Sequence, residues 1–227
     1  MVHDPRNASP FHALPPVVVA LAAVIGGLEL MFQLADAGLL GGGAGLRTDA
    51  IRDWGVAGPV LDWMLANRAA PPELLARFVT YPFLHGSAMH AVMVAVFVLA
   101  LGNAVAPHLP GWRPAALFLG PAVAGGLAYA ALFDGLLFGG YAGAYGLIGG
   151  FAWLTRRGLT RVPPDRAFLL IGLLLAIQPV FGLVGGMGLG WVPHFVAEAV
   201  GAAAGYALAG ALFPGGPSRL RARLRQR

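Results

Sequence analysis

GGYAGAYGLIGG, Gly139 to Gly150, is the stretch whose reading decides the fold. It continues through Phe151, Ala152, Trp153 and Leu154 and ends against Arg156 and Arg157. Gly139 and Gly143 stand four apart, as do Gly146 and Gly150. On a helix each pair bares backbone on adjacent turns. Soluble helices avoid this, because each glycine costs about 1 kcal/mol against alanine. In a bilayer no hydrophobic force drives helices together, and small residues let their backbones approach closely. The segment therefore reads as a short central membrane helix wrapped by others.

The composition points the same way. Of 227 residues, 58% are hydrophobic and 11% charged, and the mean hydropathy is +0.72. That balance belongs to a membrane-embedded chain, not a soluble domain. Cysteine is absent, so there is no disulfide framework and no thiol nucleophile. All 15 basic residues are arginine, which reads as the coding bias of a GC-rich bacterium. The net charge of +5 would suit nucleic acid if it gathered on one soluble face. Instead the arginines flank apolar runs, where they set topology. Nucleic acid is not an expected partner; the lipid bilayer is.

Six spans are expected, near 17–40, 88–106, 115–133, 139–155, 167–184 and 191–213. The first exceeds a signal-peptide core and reads as a retained anchor. The breaks between the later spans are Pro107 and Pro110, Asp134-Gly135, Pro163-Pro164 and Gly185 to Gly190. A short segment, 1–16, precedes the bundle, and a basic tail, 214–227, follows it. Residues 41–77 mix charges with Trp54, Leu61, Trp63 and Leu65, the pattern of short amphipathic helices lying at the interface.

Arginine placement orients the bundle. The N-terminus, the 107–114 turn, the 156–166 loop and the tail hold 11 arginines, and the 134–138 and 185–190 loops hold none. By the positive-inside rule both termini are cytoplasmic, in what reads as a bacterial cytoplasmic membrane.

Polar groups inside hydrocarbon are costly and need a reason. With this orientation His85 and His90 lie at the outer end of the second span, Tyr141 and Tyr145 at that of the fourth, and His194 and Glu198 at that of the sixth. Similar depth on three helices is what a polar cavity opening outward requires. Tyrosine and histidine also populate the interfacial belt, a plainer account of His85, Tyr141 and His194. Glu29, Gln33 and Asp36, spaced i, i+4, i+7, share one face of the first span. The simplest reading of Glu29 is a protonated carboxyl hydrogen-bonded inside the bundle.

The order of these features resembles the rhomboid family of intramembrane serine proteases, over about residues 75–210. The run Arg77-Phe78-Val79-Thr80-Tyr81-Pro82-Phe83-Leu84-His85-Gly86-Ser87, followed by His90, looks like that family's lead into its second span. Gly102 matches the glycine near that span's end. Tyr145-Gly146-Leu147-Ile148-Gly149 looks like the segment after the catalytic serine. Ala197, Glu198, Gly201 and Gly205 look like the sixth-span alanine-histidine-x-x-glycine-x-x-x-glycine. The resemblance implies an all-α, six-helix bundle with a short fourth helix and a long first loop.

It also implies where the reactive groups belong, and there the chain departs. The nucleophile position holds Tyr141 or Tyr145, depending on which glycine is aligned. The base position holds Glu198. The oxyanion pair, a histidine and an asparagine, becomes His90 and Val94. The chain has three serines in all: Ser9, Ser87 and Ser218. Ser9 and Ser218 fall on the cytoplasmic side, and Ser87 begins the second span. Serine chemistry needs hydroxyl and imidazole within about 2.6–3.2 Å of each other. A phenol is a weaker acyl acceptor, and a carboxylate near pKa ~4.3 is a weak base for it.

The expectation is a pseudoprotease that binds single-span membrane clients without cutting them, and no cofactor is implied. The alternative is an active intramembrane protease with an unconventional centre. His85, His90, His194 and Glu198 are also zinc-ligand types, but they come from separate helices and no HExxH is present. Glu29, Gln33 and Asp36 could line an ion path, but the chain lacks the internal repeat that transporters use.

Overall fold

The computed structural model describes residues 14–41, 43–184 and 189–214. Ser9, Ser218, Arg6, the tail arginines and most of the 185–190 loop lie outside the described residues. Among those described, the α-helices are α1 (Pro16–Asp36), α2 (Leu46–Trp54), α3 (Gly58–Asn67), α4 (Pro72–Thr80), α5 (Ala88–Val105), α6 (Arg113–Leu132), α7 (Tyr141–Arg156), α8 (Pro164–Val184) and α9 (Val192–Leu212). Four of them, α1, α5, α6 and α9, are long and apolar enough to cross a membrane by length and composition. α7 has 16 residues, a rise of about 24 Å. That is short of a hydrocarbon core about 30 Å thick.

α7 is the axis of the bundle, and every residue from Ala142 to Gly150 is buried. Its glycines explain how. A Cβ on Gly201 of α9 would strike the Ala142 carbonyl, and one on Gly205 the Gly146 carbonyl. From the other side, a Cβ on Gly149 would strike the Ala202 carbonyl. The α7 and α9 backbones therefore touch with no side chain between them. On the α6 side, Gly143 lies on Phe118, Gly146 on Pro121 and Gly150 on Leu117. Pro121 sits inside α6, where proline forfeits a helix hydrogen bond. Its ring fills the groove over Gly146. Val94, Val98, Leu117, Phe118, Leu147 and Leu154 join α5, α6 and α7 into one core, and Val18 and Ile25 of α1 complete it.

The structure corrects the expected boundaries in two places that matter. α7 begins at Tyr141, so Gly139 is not on the helix and does not pair with Gly143. Gly139 has φ +98°, and its N–H donates to the Tyr81 carbonyl at 3.0 Å. It is a turn glycine, in a backbone region that L side chains rarely enter. The first span stops at Asp36, not near Leu40. Gly38 takes φ +75°. Its N–H donates to the Ala35 carbonyl, and the Leu39 N–H to the Leu34 carbonyl, both at 2.9 Å. That is a Schellman stop, which closes a helix with glycine in the left-handed region.

The first loop forms the short helices its charge pattern implied, α2 to α4, the last running on to Thr80. A two-residue antiparallel pairing was not legible from the sequence. Strand β1 (Val56–Ala57) sets Val56 opposite Leu137 and Ala57 opposite Leu136 of strand β2 (Leu136–Leu137). It clips the first loop to the α6–α7 connection.

Gly205→Ala should lower the thermal midpoint in detergent, by an overpacking cost of about 1–3 kcal/mol. Gly27→Ala, where an added Cβ meets nothing within 4 Å, should be neutral or slightly stabilising. Equal midpoints for the two variants would refute backbone contact between α7 and α9.

Candidate functional site

With two faces of α7 occupied by α6 and α9, a third is left to carry side chains. Tyr141, Ala144, Tyr145 and Ile148 follow the i, i+3, i+4, i+7 spacing of one helix face. All four line one cavity of about 530 Å³, within the usual range for small-ligand sites, roughly 300–1,000 Å³. α5 contributes His90, Met93 and Phe97; α8 contributes Leu174 and Ile177; Trp191, His194 and Glu198 close the α9 side. Met93, Ile177 and His194 are also exposed, so the cavity reaches the surface of the bundle.

The structure thus brings together five of the six residues expected at an outward polar cavity, His90, Tyr141, Tyr145, His194 and Glu198, but the walls between them make the cavity mostly apolar. Glu198 is nearly buried, at 5% exposure. The His90 ring stacks on Tyr141, with centroids 5.0 Å apart and planes 19° apart. Phe97 meets the same phenol edge-on at 6.3 Å. His194 sits edge-on to Tyr129 at 6.1 Å.

His85, the sixth, lies one layer back. It packs edge-on against His90 at 4.8 Å. Its Nδ1 lies 3.2 Å from the Phe83 carbonyl, which can only accept, so the proton sits on Nδ1. Its Nε2 is buried without a protein partner, as are His90 Nε2 and Trp191 Nε1. Val94 does not reach the cavity. It is fully buried beneath Gly140, whose added Cβ would fall 2.6 Å from Val94 Cγ1.

Ser87 is committed elsewhere. It is the N-cap of α5, its Oγ accepting the His90 backbone N–H at 3.3 Å. Arg77 and Thr80, from the lead-in motif, are structural too. Arg77 donates to the Arg52 and Gly55 carbonyls at 3.1 and 3.2 Å, and Thr80 to the Trp54 carbonyl at 3.0 Å.

The polar face of α1 forms a second cluster. Glu29 is hydrogen-bonded inside the bundle, as expected, but its main partner is a cation, which favours the carboxylate over the protonated acid. The guanidinium of Arg47, from the first loop, holds both its oxygens, at 2.7 and 2.9 Å. Gln33 donates to Glu29 at 2.7 Å. Arg47 also donates to the His85 carbonyl at 2.8 Å, reaches Asp36 at 3.5 Å and lies over the Phe32 ring at 5.0 Å. In sequence Arg47 is one of several loop arginines offset by acids, with nothing to mark it as the partner of a residue 18 positions earlier. Trp191, Phe97 and the α8 residues of the cavity were missed for the same reason, since apolar residues in apolar spans carry no signal. Among the described residues, no group of three or more His, Cys, Asp or Glu could hold a metal ion.

Two measurements follow from these clusters. Arg47→Ala strands a buried carboxylate and should destabilise the protein by about 3–5 kcal/mol, with Arg47→Met plus Glu29→Gln recovering much of the loss. Equal loss in the single and double variants would show that the pair does not hold the loop. His85 gives a pH dependence. Burial, then the neighbouring His90, push its pKa down to about 4. The unfolded chain takes up this proton near pH ~6.5, so stability should fall as pH drops from there to about 4 and level off below. The loss is on the order of 3 kcal/mol. His85→Leu should flatten that part of the stability profile, read by thermal melting at stepped pH.

No curated protein matches the sequence. A family model, the rhomboid domain, matches residues 72–211, more than half of the chain, from the start of α4 to the last turn of α9. That match takes in every helix around the cavity, and the chain belongs to the rhomboid family, as an integral membrane protein with that family's helical fold.

Proposed function

We propose that this rhomboid is a pseudoprotease: it binds transmembrane segments of client proteins from the bilayer and does not cut them. The observation that carries this is the content of the cavity. It is lined by Tyr141, Tyr145 and Glu198, the residues at the positions where the family resemblance implies serine and histidine. The oxyanion asparagine position is Val94, buried away from the cavity. Preorganised donors to a developing oxyanion supply much of acyl-transfer catalysis, so their loss removes more than the nucleophile alone.

The scaffold around the cavity is intact. α7 is clamped by α6 and α9, and the first loop is anchored by Arg47, Arg77 and Thr80. An apolar cavity that reaches the bundle surface between α5 and α8 suits a helix arriving from lipid. In this reading the chain has six spans, both termini are cytoplasmic, the membrane is the bacterial cytoplasmic one, and the cavity opens toward the outer side.

The test is purified protein in liposomes with a single-span rhomboid substrate. No cleavage product and no labelling by a serine-directed fluorophosphonate are expected, while energy transfer from labelled protein to labelled substrate reports binding. Turnover abolished by Tyr141→Phe, Tyr145→Phe or Glu198→Gln would replace this proposal with a protease of new mechanism. Turnover that survives all three would place the chemistry elsewhere.

A further inference from the structure

The two ends of the bundle treat their arginines differently. The first loop closes the end where α7 starts, since β1 pairs with β2 just before Tyr141. Residues 41–80 hold four arginines and four acids. Arg47 and Arg52 are ion-paired there, and Arg77 donates to two backbone carbonyls. At the other end α7 and α9 finish, and α6 and α8 begin. Among the described residues that end carries Arg113, Arg156, Arg157, Arg161 and Arg166 against one acid, Asp165. None of these five arginines ion-pairs with a described acid.

One of them is built into a seat. The Arg157 guanidinium lies over the Trp153 ring, 5.1 Å from its centroid. Phe213, just past α9, packs on the same ring at 5.6 Å. Gly210 of α9 lies close under it, where an added Cβ would fall 3.3 Å from Trp153 Nε1. α7 is stopped directly beyond Arg157 by Gly158, at φ +67°. The Gly158 N–H donates to the Thr155 carbonyl at 2.9 Å, and the Leu159 N–H to the Leu154 carbonyl at 3.1 Å. Arg157 is thereby placed on the seam between α7 and α9.

Stacking occupies a face of the guanidinium and leaves its edge, which carries the N–H donors. Arg157 is exposed, so that fork is open. Its geometry matches two oxygens of a phosphate. Next to these arginines in the chain stand exposed apolar residues: Trp112 before Arg113, Leu159 after Arg157 and Val162 after Arg161. Cations interleaved with apolar side chains suit a charged headgroup above an acyl chain. A topology signal needs only arginines near the span ends. It does not need one stacked on a ring that two helices hold.

We infer that the α7–α9 seam at Arg157 and Trp153 binds a phospholipid with a net anionic headgroup. The phosphate sits on the Arg157 fork and an acyl chain lies against Trp153 and Phe213. The surrounding unpaired arginines favour an anionic headgroup over a zwitterionic one, whose ammonium they repel. The site lies at the end of α7 away from Tyr141, so it does not depend on clients entering the cavity.

The experiment uses the full-length protein, stripped of lipid in an uncharged detergent. It is titrated with phosphatidylglycerol and, separately, with phosphatidylcholine of the same chains, and bound lipid is counted by native mass spectrometry. Phosphatidylglycerol should bind about ten-fold more tightly. Arg157→Gln should weaken it about five-fold, the size of one basic residue's attraction to an anionic surface. Arg166→Gln, of the same charge at the same end but not stacked on a ring, should cost clearly less. An excess of inorganic phosphate at constant ionic strength should not displace the lipid. Equal affinity for the two lipids in the unaltered protein would overturn the inference. Equal losses from the two variants would show diffuse charge in place of a seat and overturn it as well. Displacement by phosphate would make this a site for free anions and remove the lipid as its occupant. Both substituted arginines are exposed, so the variants keep the packed core.

Discussion

Two helices that touch through their backbones constrain everything else in this protein. Where Gly201 and Gly205 of α9 meet Ala142 and Gly146 of α7, the nearest atoms across the interface are carbonyl groups. Lipid offers no hydrophobic gain for burying such a surface, so its stability comes from the number of close contacts. Those contacts exist only at a separation that a single methyl group would prevent. The α6 side is fixed in the same way, by Phe118, Pro121 and Leu117 seated on three glycines of α7. A helix held so tightly on two sides has its rotation fixed. Its remaining face, with Tyr141, Tyr145 and Ile148, is thereby aimed between α5 and α8, so the contents of the cavity are set by packing on the opposite side of the helix.

The periphery is held by polar links where the centre is held by glycine. Arg47 joins α1, the first loop and the turn before α5 through Glu29, Asp36 and the His85 carbonyl. The β1–β2 pairing joins the same loop to the turn before α7. These links sit at one end of the bundle, the end where His85 and His90 pack. The first loop is thereby tied to α1, to the turn before α5 and to the turn before α7.

Much of this was legible in the sequence, for physical reasons that differ from residue to residue. Apolar runs of about twenty residues, bounded by proline and glycine, mark spans directly, so α5, α6 and α9 fall within two residues of expectation. Gly146 and Gly150 signalled a tightly wrapped helix because nothing else explains paired glycines there. Gly139 misled because spacing does not distinguish a helical glycine from a left-handed one in a turn. The convergence of His90, Tyr141, Tyr145, His194 and Glu198 was expected because polar residues are rare in these spans and shared a depth. The Arg47–Glu29 pair, the strand clip and the apolar walls depend on contacts between distant residues, and no local pattern encodes them.

Arg77 and Thr80 give their hydrogen bonds to the backbone carbonyls of Arg52, Trp54 and Gly55. The stretch that looks most like a protease signature is thus a fastener for the first loop. Selection for loop shape would preserve it whether or not any peptide bond is ever broken in the cavity. A relative found through that stretch alone shares architecture, and its chemistry has to be judged afresh from the few side chains on the uncovered face of the central helix.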